Sequence, residues 1–310
     1  MIAIIMSTYN GEEYIKAQLD SILCQSYSDF VLYIRDDGST DQTVSLITSY
    51  TDPRIKFSSG ENLGPAGSFF SLLNQVSNMD YIFFSDQDDV WDSDKLERML
   101  AVMQRVENGP TMVFSDFRMI DQNDTLMGES FAAHAHLRVC PGIIGVEKIL
   151  AQPYVFGCAS VINRDLAQAV LQPPRGIEMH DCWISLTASC IGTLYYMPEA
   201  TISHRFHNRN ATGRKGQSDL IMRLKRITKG FHAQVENTLL RLHQVTLLLN
   251  CYGDAILPEK RILLEKLSCA MNKGRLATIS ALRRYGIARQ KYGQTLFFYF
   301  TVLGIKGDIR

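Results

Sequence analysis

Residues 81–92 read Tyr81-Ile82-Phe83-Phe84-Ser85-Asp86-Gln87-Asp88-Asp89-Val90-Trp91-Asp92. A continuous apolar run bounded by polar residues is the pattern of a strand buried on both faces, as in a parallel sheet. Here the strand runs straight into carboxylates. The same sequence of events occurs twice upstream. Ile2–Met6 leads into Ser7-Thr8-Tyr9-Asn10-Gly11, and Phe30–Ile34 leads into Asp36-Asp37-Gly38-Ser39-Thr40-Asp41. Between them, Tyr14, Ile15, Leu19, Ile22 and Leu23 line one face of a helix over 12–26. Helices are also predicted over 41–50 and 67–77, with a short strand at Ile55–Phe57 and a Gly/Pro/Asn loop over 60–67. Strands alternating with helices predict an α/β fold with a parallel sheet. In such sheets ligands bind outside the carboxyl ends of the strands. The loops 7–11, 36–41 and 85–92 would therefore project from one edge and form one site.

Further along, strands are predicted at Met112–Phe117 and Val155–Ile162, helices near 145–151 and over 178–190, and a strand and turn over 193–207. From about 218 the pattern becomes helical and basic. The 310 residues are 46% hydrophobic and 21% charged, which excludes a disordered chain or a coiled-coil rod. The formal net charge is zero, but it is unevenly placed. Residues 1–217 carry 16 basic and 26 acidic side chains, whereas residues 218–310 carry 16 basic and 6 acidic ones. This asymmetry predicts two parts, 1–217 and 218–310, with different partners. Seven cysteines without a C-x-x-C pair predict reduced thiols rather than a disulfide framework or a zinc ribbon. Met1–Met6 enters an apolar strand without a basic leader region, so no secretory signal is expected. The apolar stretch Leu296–Ile305 is about half of the ~20 residues that a membrane span needs.

In an extended loop Asp86 and Asp88 would point the same way, because side chains alternate with period two. Paired carboxylate oxygens suit Mg²⁺ or Mn²⁺, with substrate phosphates completing the shell. The alternative is an acidic turn that caps the following helix at Asp94–Met103. The loop Asp36–Asp41 likewise reads as a strand-to-helix turn, or as a carboxylate placed to receive a base or ribose. Neither a P-loop nor a G-x-G-x-x-G sequence is present, which argues against a P-loop ATPase and a dinucleotide dehydrogenase.

Taken in order, Ser7-Thr8-Tyr9-Asn10, Asp36-Asp37-Gly38-Ser39-Thr40-Asp41 and Asp86-Gln87-Asp88-Asp89 resemble the family 2 glycosyltransferases over roughly residues 1–215. The resemblance implies the GT-A fold, a Rossmann-like mixed sheet flanked by helices, with a nucleotide-sugar donor and a divalent metal, Mn²⁺ or Mg²⁺. It implies that Ser7, Thr8, Tyr9 and Asp37 contact the nucleoside. Asp86 and Asp88 would bind the metal, and Asp89 would lie near the diphosphate. Inverting members need a base for the acceptor hydroxyl, and the matching segment is Glu178-Met179-His180-Asp181-Cys182-Trp183. His180 stands where many members carry Glu or Asp, and Asp181 is the expected base; its alternative role is a first-turn partner of the helix dipole. His207-Asn208-Arg209-Asn210 resembles a downstream His-x-x-Asn element. His207 would complete the metal shell or contact the diphosphate, and Arg205, Arg209 and Arg214 would neutralise phosphate. Gly157 and Trp183 are expected beside the acceptor, with Cys158 in a packing role.

The His-Asp-x-Trp segment and Ser85-Asp86-Gln87-Asp88-Asp89-Val90-Trp91 bring the resemblance closer to rhamnosyltransferases of streptococcal-type rhamnose cell-wall polysaccharides. That implies dTDP-β-L-rhamnose as donor and a polyprenyl-diphosphate-linked saccharide as acceptor. A UDP-hexose donor and a silent nucleotide-sugar-binding subunit remain the alternatives. No Gln-x-x-Arg-Trp occurs, which disfavours a processive synthase. In the C-terminal part, Arg223, Lys225, Arg226, Lys229, Arg283, Arg284, Arg289 and Lys291 interleave with apolar residues at helical spacing. This basic amphipathic pattern fits the inner leaflet of the cell membrane and a cytoplasmic, peripheral location. A solvated face and a homo-oligomer interface against the acidic half are the alternatives. No nucleic-acid-binding motif accompanies the charge.

Overall fold

The computed structural model of the protein describes residues 1–137, 139–207 and 220–305, with the side chains of 220–229 left undescribed. The first half alternates β1 (Ile2–Thr8), α1 (Ile15–Leu23), β2 (Phe30–Asp36), α2 (Thr43–Thr48), β3 (Ile55–Ser59), α3 (Gly64–Val76) and β4 (Tyr81–Ser85). There follow β5 (Val90–Trp91), α4 (Lys95–Val106), β6 (Thr111–Asp121), β7 (Leu126–Gly128), α5 (Phe131–His134), β8 (Gly142–Ile143) and α6 (Val146–Ile149). A tight turn at Gly157–Ala159 leads into β9 (Ser160–Asn163), α7 (Arg164–Ala169), α8 (His180–Ile191) and β10 (Thr193–Phe206). The helices α9 (Leu220–Tyr252), α10 (Pro258–Asn272), α11 (Arg275–Arg284) and α12 (Tyr292–Gly304) complete the order.

One sheet runs β3-β2-β1-β4-β9-β6-β10-β5, with β7 on β6 and β8 on β10. Strands β1 to β4 are mutually parallel, as their apolar runs predict. The sheet becomes mixed at β9, which lies antiparallel between β4 and β6. Both faces of the sheet are covered. Ile2, Ile4 and Met6 of β1 enter a core with Ile15, Leu19 and Met99, while Ala3 and Ile5 enter a second core with Phe69, Leu73 and Trp183. That alternation is the period-two signature of a strand buried on both sides.

The strand expected over Val155–Ile162 begins only at Ser160, because the chain makes a tight turn at Gly157–Ala159, and two further boundaries differ from the sequence reading for identifiable reasons. Helix α3 starts at Gly64 rather than near 67, because Pro65 fits the first turn and Gly64 takes a φ of +72° there. Strand β6 continues to Asp121 because its inner polar residue, Asp116, is satisfied: its carboxylate accepts from the Ala132 amide at 3.1 Å and from the Ser130 hydroxyl. The C-terminal helices share the second core, since Leu242, Val245 and Leu248 of α9 join Trp183 and Ile184 of α8. The expected boundary at 217/218 lies outside the described residues, as do Asn208, Arg209, Asn210 and Arg214 and the side chains of Arg223, Lys225, Arg226 and Lys229. Among the described residues no helix is long and apolar enough to cross a membrane.

Candidate active site

Parallel pairing puts the carboxyl ends of β1, β2 and β4 side by side, and polar contacts then lace their loops together. Tyr9 donates its amide to Gln87 Oε1 at 2.9 Å, and Gln87 Nε2 donates back to the Tyr9 carbonyl at 3.0 Å. The Asn10 amide donates to Ser39 Oγ at 2.9 Å, while its Oδ1 accepts from the Thr40 amide at 2.8 Å. Asn10 has a φ of +48°, a conformation that asparagine tolerates better than most residues. The carboxylates of the second loop mostly serve this scaffold. Asp36 is fully buried and accepts from Thr8 Oγ1 at 3.0 Å and the Ser39 amide at 2.8 Å. Asp37 pairs with Arg35 and accepts the amides of Leu63 and Gly64 at 3.0 and 2.8 Å. Of the four residues expected at the nucleoside, Thr8 and Asp37 are therefore buried in the framework. Ser7 is half-buried and Tyr9 is open to solvent at 49% exposure.

The acidic loop divides into an outer and an inner group. Outside, Asp88 Oδ2 lies 2.8 Å from His207 Nε2, so the expected Asp88–His207 pair forms. Arg205 clamps the same loop: its Nε donates to the Asp88 carbonyl at 2.9 Å, and its guanidinium pairs with Asp124 at 2.7 Å and covers the Tyr14 ring. With its side chain 1% exposed, Arg205 is a structural clasp on the loop. Inside, Asp86 meets Asp89, Cys158 and His204, whose ligand-type atoms all lie within 4.8 Å of one another. Asp89 is fully buried and pairs with His204 Nδ1 at 2.7 Å. Asp86 and Asp88, expected to face one ion together, thus differ in their nearest polar neighbours, while the Asp88 charge still reaches Asp86.

Electrostatics follow from that crowding. Burial and the charges of Asp89 and Asp88 push Asp86 up to about 8. Burial alone would raise Asp89 too, but the His204 charge and hydrogen bond outweigh it and hold Asp89 below the usual carboxylate range. Burial opposes the charge on His204, yet Asp89 raises it to about 9. Beneath them Lys95 is fully buried, donates to the Cys158 carbonyl at 2.6 Å and lies 3.8 Å from the Trp91 ring. Burial lowers its pKa to about 7. Carboxylates crowded enough to force a proton onto Asp86, with Asp89 Oδ2 buried and lacking a hydrogen-bond partner, fit a place where a cation is wanted. The oxygen donors of Asp86 and Asp88, with the His207 imidazole, match Mn²⁺ or Mg²⁺ chemistry.

Asp181 stands in the first turn of α8, where the helix dipole favours an anion. Its Oδ1 accepts the Cys182 amide at 2.7 Å and its Oδ2 the Gly157 amide at 3.2 Å. The carboxylate is half-buried, and its charge adds, least among the causes, to the raised pKa of Asp86. His180 turns inward. It stacks on Phe69 with ring centroids 4.1 Å apart and on Phe84 at 5.7 Å, and burial lowers its pKa. A Cβ on Gly157 would stand 2.8 Å from His180 Nε2. Gly157 therefore both anchors Asp181 and leaves room for His180. Trp183 is not on the acceptor side: it is 1% exposed and stacks on Tyr252 of α9. A crevice lined by Glu178, Cys182, Ser185, Arg241 and Gln244 brings α8 and α9 together beside Asp181, with Glu178 and Arg241 3.6 Å apart.

His204 and Lys95 escaped the reading of the sequence. The available signal was Lys95 in register with Leu96, Met99 and Met103 on the buried face of α4, a position a lysine occupies only with a partner.

Residues 3–171 match the family model described as "Glycosyl transferase family 2". The chain is 30% identical over 188 residues to the UDP-Glc:alpha-D-GlcNAc-diphosphoundecaprenol beta-1,3-glucosyltransferase WfgD of Escherichia coli, covering 60% of this chain and 69% of that protein. It is 41% identical over 102 residues to the dTDP-rhamnosyl transferase RfbG of Shigella flexneri, covering 31% and 35% of the two chains. Among solved structures, S. aureus TarS 1–349 in complex with UDP-GlcNAc superposes with a TM-score of 0.55 at 16% identity, covering 98% of this chain and 90% of that one. The likeness is one of fold: a GT-A-like mixed sheet flanked by helices, with a helical C-terminal region.

Proposed function

The chain belongs to glycosyltransferase family 2, and we propose that it transfers a sugar, with inversion, from a nucleoside-diphosphate sugar to a lipid-diphosphate-linked saccharide. The observation that carries this reading is Asp181, whose carboxylate accepts the Gly157 amide next to Cys158, itself within 4.8 Å of the Asp86 and Asp89 oxygens. Ser7 and Tyr9 flank the donor's nucleoside, on the loop that Gln87 ties to the acidic segment. Asp86, Asp88 and His207 are the residues that would hold a divalent cation, with Arg205 fixing the loop that carries Asp88. Bound there, the cation would neutralise the departing diphosphate. Asp181 accepts the proton of the acceptor hydroxyl as that oxygen bonds to C1 of the sugar. The bond from C1 to the diphosphate oxygen breaks, and the nucleoside diphosphate leaves with its electron pair. A carboxylate suffices as base when proton transfer follows C–O bond formation.

We take dTDP-β-L-rhamnose as the donor, supported by the residue pattern around 85–91 and by the 41% identity to RfbG over its matched segment. A second reading, a UDP-hexose donor, draws support from the longer match to WfgD. WfgD's acceptor also supports a diphosphate-linked lipid, which would bring the chain to the inner face of the cell membrane. The division into a catalytic part, 1–217, and a helical part, 218–310, accompanies this proposal. The test is nucleoside-diphosphate release across UDP-, GDP- and dTDP-sugars with Mn²⁺, Mg²⁺ or EDTA. Metal-dependent turnover of dTDP-rhamnose alone is the expected result. Turnover of a UDP-sugar instead discards the rhamnose assignment and keeps the mechanism. Donor binding without turnover on any lipid-linked acceptor overturns the catalytic reading.

A further inference from the structure

Helix α12 carries no charged side chain from Tyr292 to Gly304, and it is apolar on both faces. A helix that is hydrophobic all round is ordinarily buried all round. Its inner face is: Phe298 and Val302 are 1% and 0% exposed, and Thr301 shares a 2.8 Å hydroxyl contact with Thr238 of α9. Its outer face is not. Tyr292, Leu296, Phe297, Phe300 and Leu303 are 79%, 51%, 41%, 58% and 41% exposed. At about 100° per residue these five fall on one arc of the helix. Among the described residues none covers it. Phe231 of α9 touches only its flank, through Phe297 and Phe300.

The charge of the chain segment that carries this face has one sign. Residues 266–305 contain Lys266, Lys273, Arg275, Arg283, Arg284, Arg289 and Lys291, and no Asp or Glu. Two of these cations mark the ends of α12. Lys291 is its N-cap, and Arg275 Nη1 donates to the Leu303 carbonyl at 3.4 Å. Beside Arg275, Leu276 is 77% exposed. We propose that the outer face of α12 lies in the interfacial region of an anionic lipid surface, with Tyr292, Leu296, Phe300 and Leu303 among the acyl chains and Arg275 and Lys291 at the headgroups. Apolar and aromatic residues with flanking cations are the composition of helices that lie in such an interface. Thirteen residues cannot span a bilayer but can lie along its surface. A second copy of the chain is the poorer occupant, because a two-fold contact would set the cations of this segment against themselves. The inference is independent of the donor. It gives a place to stand for an enzyme whose proposed acceptor is lipid-linked.

The experiment is flotation of the full chain, without donor, on vesicles of phosphatidylcholine alone and of phosphatidylcholine with phosphatidylglycerol. Wild type is expected to float with the phosphatidylglycerol vesicles and to be released by high salt. Leu296→Ser with Phe300→Ser should weaken binding about tenfold or more, with the unfolding temperature unchanged because both side chains are exposed. Arg275→Gln with Lys291→Gln should weaken it about thirtyfold on anionic vesicles, roughly fivefold per cation. Failure of wild type to float, or equal binding by the serine pair, overturns the proposal. Sedimentation as a dimer that the serine pair dissociates assigns the face to a second copy and also overturns it. Donor turnover by the same variants in the absence of vesicles tests the catalytic reading separately.

Discussion

Replacing Gly157 by alanine adds one methyl group at the point where the proposed base, the helix that carries it and the sheet meet. The new Cβ would lie 2.8 Å from His180 Nε2 and 3.6 Å from the Asp181 Cβ. Real Cβ atoms do not approach ring nitrogens that closely, so something must move. His180 has little room to retreat, being stacked on Phe69 at 4.1 Å and flanked by Phe84. Overpacking of this kind costs about 1–3 kcal/mol. At roughly 2–4 °C per kcal/mol for a chain of this size, the unfolding temperature should fall by several degrees. The larger effect is expected on chemistry. A shift of a few tenths of an ångström in Asp181, scaled from the roughly hundredfold loss for a 1 Å misplacement, lowers kcat about threefold to tenfold. Donor affinity should be untouched, because the proposed nucleoside residues Ser7 and Tyr9 lie at the carboxyl end of β1. The assay is thermal unfolding with steady-state transfer, run as a cycle with His180→Ala. The double variant should recover stability and kcat relative to the sum of the two singles, since removing the ring makes room for the methyl. Strictly additive effects, or a Gly157→Ala enzyme that unfolds and turns over as wild type, would refute the reasoning.

Three further outcomes follow from the acidic cluster. Asp86 has its pKa raised from 3.8 to about 8, so the folded state binds a proton that the unfolded state releases. In EDTA, stability should fall as pH rises from about 4 to about 8, and Asp86→Asn should flatten that decline while abolishing metal binding. His204→Gln leaves the buried Asp89 carboxylate without its counter-charge and should cost about 3–5 kcal/mol, read by denaturant unfolding; Asp89→Asn with His204→Gln should recover part of that loss. His207→Ala removes the partner 2.8 Å from Asp88 and should weaken Mn²⁺ binding, measured by calorimetry, by about tenfold to a hundredfold, with thermal stability largely kept.

The sheet edge was legible in the sequence because buried parallel strands are uninterrupted apolar runs. Ile2–Met6, Phe30–Ile34 and Tyr81–Phe84 each announce a strand, and each is followed by polar residues that have nowhere to go but the carboxyl end. The antiparallel insertion of β9 was not legible, because Val161 and Ile162 are equally suited to either direction. Asp86 and Asp89 were visible as carboxylates, but their partner His204 lies more than a hundred positions away and is brought close only by β10. Period-two alternation placed Asp86 with Asp88. The fold also brings Asp86 to Asp89 and Cys158, which that alternation did not foresee. The position of His180 suggested the site, whereas the structure makes it a stacked core ring. Trp183, one helical turn away, belongs to the contact with α9 and not to the acceptor surface. In both cases the residue type was ambiguous between core and site, and the packing partners, which are distant in sequence, decided.

The most direct test of the account is glycosyl transfer by Asp181→Asn at saturating donor and acceptor, measured with the donor Kd of the same protein. The amide keeps the shape of the side chain and, through its single oxygen, one of the two backbone bonds, but it cannot take a proton. The account predicts a folded protein with unchanged donor Kd and a kcat lowered about a hundredfold to ten-thousandfold. A variant that transfers sugar at a rate near wild type would contradict it.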